Sequence, residues 1–194
     1  MKKKSLKRLL LGPTVEVAKD LIGYRLVTSV KGHRCAGMIV ETEAYDGSID
    51  EASHSFRGKT TRNSIMFEEA GLCYVYFTYG MHYCVNVVTG DKGKGAAVLI
   101  RALEPLEGIE IMKRRRGQSK LENLCNGPAK LCQALGIDKK MLGEDLRSSE
   151  IIRIEAYKGF PDSEIVTSKR IGITKSKDLE WRFYLKGNLF VSKG

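Results

Sequence analysis

A chain of 194 residues with 33 Lys+Arg against 23 Asp+Glu carries a formal charge of +10, at a length that suits one domain. Apolar residues make up 42% and aromatics 8%, enough to build a core, which excludes a disordered chain. No apolar run approaches the ~20 residues of a membrane span.

The opening MKKKSLKRLLLG has only Leu9-Leu10-Leu11 where a secretory signal needs roughly 7–15 apolar residues. Residues 1–10 are therefore expected to be a basic arm and 11–194 a single domain, inside the cell (cytoplasm, bacterial nucleoid or nucleus) and not secreted. Apolar positions after Gly12-Pro13 at helical spacing (Val15, Ala18, Leu21, Ile22) predict a first helix that ends at Gly23. Residues 24–30 and 35–45 are rich in apolar and β-branched side chains around Lys31-Gly32-His33-Arg34 and read as a hairpin. Residues 50–55 suit one helical turn. A second strand pair covers 72–79 and 82–89, and a strand over 96–103 is expected to close at Pro105. Helices are expected over 107–116 and 128–135, the latter between Pro128 and Gly136. Residues 151–157, 164–173 and 181–185 are further strands. Few strand–helix–strand crossovers arise, so the fold class is α+β: a mainly antiparallel, curved sheet with surrounding helices.

The five cysteines (Cys35, Cys73, Cys84, Cys125, Cys132) are odd in number and never spaced C-x-x-C. That excludes a zinc ribbon or disulfide framework and predicts buried thiols. The charge favours polyanionic partners, because neutralising phosphates releases counterions, although the clusters Lys2-Lys3-Lys4 and Lys113-Arg114-Arg115-Arg116 also suit solvated surface.

Three segments carry chemistry. In Gly37–Asp46, strand alternation places Glu41, Glu43 and Tyr45 on one face. Two like charges there suit a general base, or else a solvated edge. Asp50, Glu51 and His54 follow, as an acidic helix start or, with Glu41 and Glu43, a weak metal-site reading that no regular ligand spacing supports. The third segment packs Tyr74, Tyr76, Phe77, Tyr79 and Tyr83 into ten residues. Tyr74 and Tyr76 share a face, for sheet packing or base stacking. Tyr79-Gly80-Met81 falls at the tip of the pair, where a large aromatic suits a wedge between bases. Asn86 and Arg101 interrupt apolar strands; each is an inward contact in a site or an outward residue, and periodicity leaves both open.

Val40-Glu-Thr-Glu-Ala-Tyr45, Ala52-Ser-His-Ser55, Arg62-Asn63, Met66-Phe67, Tyr74-Val-Tyr76, Tyr79-Gly-Met81, Asn86, Leu99-Ile-Arg-Ala-Leu-Glu-Pro-Leu-Glu-Gly108, Gly127-Pro-Ala-Lys-Leu-Cys-Gln-Ala-Leu-Gly136 and Trp181-Arg-Phe-Tyr184 together closely resemble the alkyladenine (3-methyladenine) DNA glycosylase family of the vertebrate enzyme type. The resemblance implies a monomer with a protruding aromatic hairpin that removes alkylated or deaminated purines from duplex DNA, with no cofactor, metal or membrane. It implies Glu43 as the base that activates water and Arg101 as its catalytic partner. Tyr45, His54, Tyr76 and Asn86 would line the base pocket, and Tyr79 and Met81 would intercalate. Thr60, Arg62 and Met66 would meet the DNA backbone. No lysine falls in the matching motifs, so an intact abasic strand is the expected product. Two other classes remain as alternatives: a non-catalytic nucleic-acid-binding module, and a metal-dependent hydrolase using Glu41, Glu43, Asp50 and His54.

Overall fold

A computed structural model describes residues 5–78 and 80–193. Two short helices open it, α1 (Leu6–Leu10) and α2 (Thr14–Asp20), followed by β1 (Arg25–Val30) and β2 (His33–Asp46). Next come β3 (Cys73–Thr78), β4 (His82–Thr89), β5 (Ala96–Glu107), α3 (Ile109–Arg116) and α4 (Pro128–Leu135). Three short strands end the chain: β6 (Ile152–Glu155), β7 (Ile165–Ser168) and β8 (Arg182–Leu185). All eight strands join one curled antiparallel sheet, ordered β3-β4-β5-β2-β1-β6, with β8 pairing both β2 and β7. This is the α+β class read from the sequence.

The long strand β2 is the spine. It pairs β1, β5 and β8, and its residues 35–44 are buried without a break. Helix α2 packs on it and accepts Thr42 Oγ1–H at the Ala18 carbonyl, 2.7 Å away. Helix α4 lies against β4 and buries Leu131, Cys132, Ala134 and Leu135. All five cysteines are free thiols in this interior. Of the three slips in the ladder between β2 and β5, two adjacent ones run in compensating directions: Val40 is the extra residue on β2 and Arg101 the extra residue on β5. Paired bulges of this kind re-aim side chains, and these two flank the carboxylates of Glu41 and Glu43.

Several sequence expectations change. Leu6–Leu10, inside the stretch read as a basic arm, forms α1 and buries Leu9 and Leu10. Pro105 does not close β5; it sits opposite Gly37 at a register shift, a place where a missing N–H costs no ladder bond, and the strand continues to Glu107. Residues 50–55 form turns in place of a helical turn, with Asp50 Oδ1 accepting from Ala52 N–H at 3.0 Å. The strand expected over 164–173 stops at Ser168, because Arg170 is drawn away from the sheet toward Asp50. Strands β3 and β4 pair as far as Thr78 opposite His82. Tyr79, the residue on which the protruding hairpin and its wedge rest, lies outside the described residues.

The link between α2 and β1 depends on Gly23, whose φ of +83° is accompanied by backbone bonds to Ile39 and Lys158. A Cβ there would stand 2.2 Å from the Lys158 carbonyl oxygen, whereas at Gly32 (φ +75°) it would meet open space. Urea denaturation should therefore show Gly32→Ala losing only about 1–2 kcal/mol for the left-handed backbone. Gly23→Ala should lose clearly more, because overlap with a fixed carbonyl is added to that cost.

Candidate active site

Glu41 and Glu43 lie on the same side of β2, and both are fully buried. Two buried carboxylates are tolerated only with charge partners and hydrogen bonds, and Arg101 serves both. Its Nε donates to Glu41 Oε1 at 2.9 Å, and its Nη1 stands 3.2 Å from Glu43 Oε1. Burial works against the guanidinium charge, but Glu43 and Glu41 outweigh it and hold Arg101 protonated more firmly than usual. Glu41 takes three further donors: Arg182 Nε at 2.7 Å, Ser192 N–H at 2.7 Å and Ser192 Oγ–H at 2.8 Å.

Glu43 is bound differently. Its Oε1 accepts the Ile171 N–H at 2.8 Å, and its Oε2 accepts the Tyr45 hydroxyl at 2.8 Å. A carboxylate offers about four lone-pair positions, so one on Oε2 stays unused. Burial, followed by the charge of Glu43, pushes the Tyr45 hydroxyl far above its ordinary proton affinity, which keeps it a donor.

Tyr45, Arg101 and Ile171 all face a cavity of about 520 Å³, so Glu43 lies one side chain behind its wall. The cavity also brings together His54, Tyr76 and Asn86, in a volume within the ~300–1,000 Å³ range of small-molecule pockets. The rings make an aromatic corner. Tyr74 and Tyr76 lie 5.6 Å apart between centroids, and His54 stands edge-on to Tyr76 at 4.6 Å. His54 Nδ1 bonds the Tyr74 hydroxyl at 2.9 Å. Burial raises the hydroxyl proton affinities of both tyrosines, that of Tyr74 to about 12, so both remain neutral. Asn86 donates one amide N–H to the Tyr74 carbonyl at 3.0 Å, which fixes its plane in the wall. Asn86 and Arg101 are thus inward polar contacts, the alternative that strand periodicity left open.

Other sequence candidates are more dispersed. Arg62 is exposed at the cavity rim and donates to the Phe77 carbonyl at 3.3 Å; Thr60 is exposed nearby. Met66, expected at the DNA backbone, is buried against Tyr74, Val88 and Ala97 and forms cavity wall. Met81 is 71% exposed beside the β3–β4 turn. Asp50 does not approach Glu41 and Glu43 as a shared ligand set; it holds Arg170 through both carboxylate oxygens, at 2.5 and 2.8 Å.

Residues 171–175, which also line the cavity, were not anticipated as site residues from the sequence. They are Ile-Gly-Ile-Thr-Lys, of which 171–173 fall within the strand expected over 164–173, and only folding brings them beside Glu43. Lys175, also in this wall, pairs with Glu51 at 2.9 Å. Arg170 behind the loop was missed for the same reason. Its guanidinium lies over the Tyr45 ring at 4.6 Å and the Trp181 ring at 5.4 Å, and Nη1 donates to the Ala44 carbonyl at 2.9 Å. Its Nε has no hydrogen-bond partner among the described residues.

The methylpurine-DNA glycosylase family profile matches residues 8–189. A protein of Carboxydothermus hydrogenoformans named "Putative 3-methyladenine DNA glycosylase" is 54% identical over 177 residues, covering 91% of this chain and 92% of its own length. Proteins of the same name from Francisella tularensis subsp. tularensis and Chlorobium phaeovibrioides are 49% and 46% identical, with 97% of this chain covered in each case and 98% and 96% of their own lengths.

Burial away from water, reinforced by the charge of Arg62, lowers the proton affinity of His54 from its ordinary 6.5. The unfolded chain then binds the His54 proton more tightly than the folded one. Stability from this group is complete above about pH 6.5 and declines as pH falls through the window below it. Urea denaturation at about pH 7.5 and about pH 5.5 should show His54→Gln losing less stability on acidification than the parent chain.

Proposed function

The chain belongs to the methylpurine-DNA glycosylase family, and we propose that its cavity receives an alkylated or deaminated purine turned out of duplex DNA while Glu43 directs water onto C1′ of the sugar. As a DNA glycosylase it breaks an N-glycosidic bond, and the finer assignments concern which bases leave and which side chains act. The observation that carries this reading is the position of Glu43. It is a buried carboxylate with one lone pair free, immediately behind a cavity walled by tyrosines and an arginine.

A base inside the duplex is unreachable, so it is flipped at a cost of a few kcal/mol, least for a damaged pair. Tyr45, Tyr76 and His54 offer aromatic surface on which a purine stacks, and His54, neutral at physiological pH, offers a hydrogen-bonding ring nitrogen. Asn86, its amide fixed by Tyr74, stands as a fixed polar group that tests the base edge; a contact unfavourable to normal guanine would give selection by exclusion. Tyr79 and Met81 are assigned to the wedge that fills the vacated stack, by resemblance for Tyr79 and by its exposure for Met81. Thr60 and Arg62 are assigned to the DNA backbone. Met66, buried, is reassigned to the pocket wall.

Cleavage passes through a sugar with oxocarbenium character. Glu43 is placed to deprotonate the attacking water and to oppose the developing positive charge. The water reaches it once one wall contact yields, and the 3.2 Å pairing with Arg101 is the longest of the three. Arg101 then holds both water and carboxylate. N3- and N7-alkylated purines such as 3-methyladenine and 7-methylguanine are cations, so they leave without a proton and attract the aromatic faces; hypoxanthine needs protonation first. Lys175 is held by Glu51, which favours direct hydrolysis over a Schiff base and an unbroken abasic strand as product. No resident metal or cofactor is invoked, and the chain acts as a monomer.

Glu43→Gln should bind duplex containing 7-methylguanine as the parent does and release base about 10²–10⁴-fold more slowly, the usual worth of a general base. Normal release by this variant would overturn the assignment of Glu43. The parent should release free purine from methylated and inosine-containing duplexes in EDTA without nicking the strand. Binding with no release would favour a non-catalytic module, and activity lost in chelator would favour the metal-dependent alternative.

A further inference from the structure

The reading of Glu43 as the base leaves one buried group unused. Arg170 sits on no wall of the cavity, yet it touches the supports of two of the three donors that hold Glu43. On one side its guanidinium lies over the Tyr45 ring at 4.6 Å, and the Tyr45 hydroxyl donates to Glu43 Oε2. Tyr45 also lines the cavity while Arg170 does not, so Arg170 backs the ring from the protein side. On the other side, the residue next in sequence, Ile171, donates its backbone N–H to Glu43 Oε1. Arg170 further donates to the carbonyl of Ala44, which immediately precedes Tyr45.

Asp50 locks this arrangement. Both its carboxylate oxygens accept from Arg170, and both side chains are fully buried. The pair cancels its own charge, so its effect on the cavity is geometric and not a long-range field. The unpartnered Nε points the same way: the plane is not set by satisfying every donor but by the rings of Tyr45 and Trp181. Hydrogen-bond donors that hold a reacting group matter through placement, and a shift of about 1 Å can cost on the order of 10²-fold in rate.

We infer that Arg170, locked by Asp50, is the positioning residue of Glu43, one buried guanidinium fixing both the hydroxyl and the backbone N–H that aim the carboxylate. This rests on Glu43 being the base, as proposed above. Removing one member of a buried ion pair leaves an uncompensated charge, whereas removing both together is far better tolerated. The informative variants are therefore Asp50→Asn combined with Arg170→Met, and Arg170→Lys, which keeps the charge but loses the fork that binds two oxygens.

Single-turnover release of 7-methylguanine, a base that leaves unassisted and keeps residual rates measurable, should be followed for each variant in the parent and in the Glu43→Gln background. The expected result is a loss of about 10–100-fold for the double variant with a smaller loss for Arg170→Lys. Affinity for duplex carrying a non-hydrolysable abasic analogue should stay within about threefold of the parent, and the same changes should add nothing to Glu43→Gln, because residues that act as a unit are non-additive. An equal fold-loss in both backgrounds, or a parental rate in a double variant that melts like the parent, would overturn the inference. If the double variant does not fold, Arg170→Lys decides alone by the same two readouts. A parental rate for Glu43→Gln by itself would instead remove the assignment of the base, an outcome read before any Arg170 variant is made.

Discussion

Two carboxylates sit side by side in the middle of an apolar strand, and the site exists because their charge is neutralised where they stand. An isolated buried carboxylate is untenable, since the desolvation penalty exceeds anything that apolar packing returns. Arg101 meets both Glu41 and Glu43, and it does so as the extra residue of a bulge on β5, opposite a compensating bulge at Val40 on β2. A regular ladder would have kept one register throughout; the slip lets β5 present a guanidinium between two carboxylates while both strands continue as one sheet.

Having a common arginine, the two glutamates are separated by their other partners. Beyond Arg101, Glu41 is held by Arg182 and by Ser192, so it ties β8 and the C-terminal segment to the spine. Glu43 keeps a lone pair and faces the side where Tyr45 and residues 171–175 wall the cavity. One residue type at two positions on a face thus becomes a structural anchor and, on the proposed reading, a reactive group, a division made by neighbours, much as environment sets apart the paired carboxylates of other hydrolases.

The sheet itself was largely readable from the sequence, because β-branched runs and glycine punctuation are local signals. The hairpin around Lys31-Gly32, strand β4 and helix α4 between Pro128 and Gly136 fall where pattern alone put them. The face shared by Glu41 and Glu43, and that shared by Tyr74 and Tyr76, followed from period-2 alternation. Local pattern failed where a distant partner decides the outcome. Strand β7 is cut short because Asp50, 120 residues away in sequence, claims Arg170; Pro105 is tolerated because Gly37 meets it at a slipped register; Met66 is drawn inward by Tyr74 and Val88. Asn86 and Arg101 stood out as polar residues in apolar strands, yet only the curl of the sheet decides that they face inward.

The charges around the cavity have a consequence for which bases suit it. In and behind its wall, Glu41 and Glu43 are opposed by Arg101 and Arg182, and Asp50 by Arg170, each within hydrogen-bonding or ion-pair distance of a partner; toward the rim Lys175 pairs with Glu51, and Arg62 is exposed. On the proposed reading, this local pairing keeps the buried guanidiniums from adding to the chain charge of +10, so the basic surface can gather DNA without those groups penalising a cationic purine. Selection, on that reading, falls to short-range features: tyrosine faces that favour a cation, a neutral histidine edge and a fixed amide. On that same reading, positive charge appearing on the sugar as the glycosidic bond stretches tips the balance, and Glu43, just behind the cavity wall with a lone pair free, is the anion that would meet it.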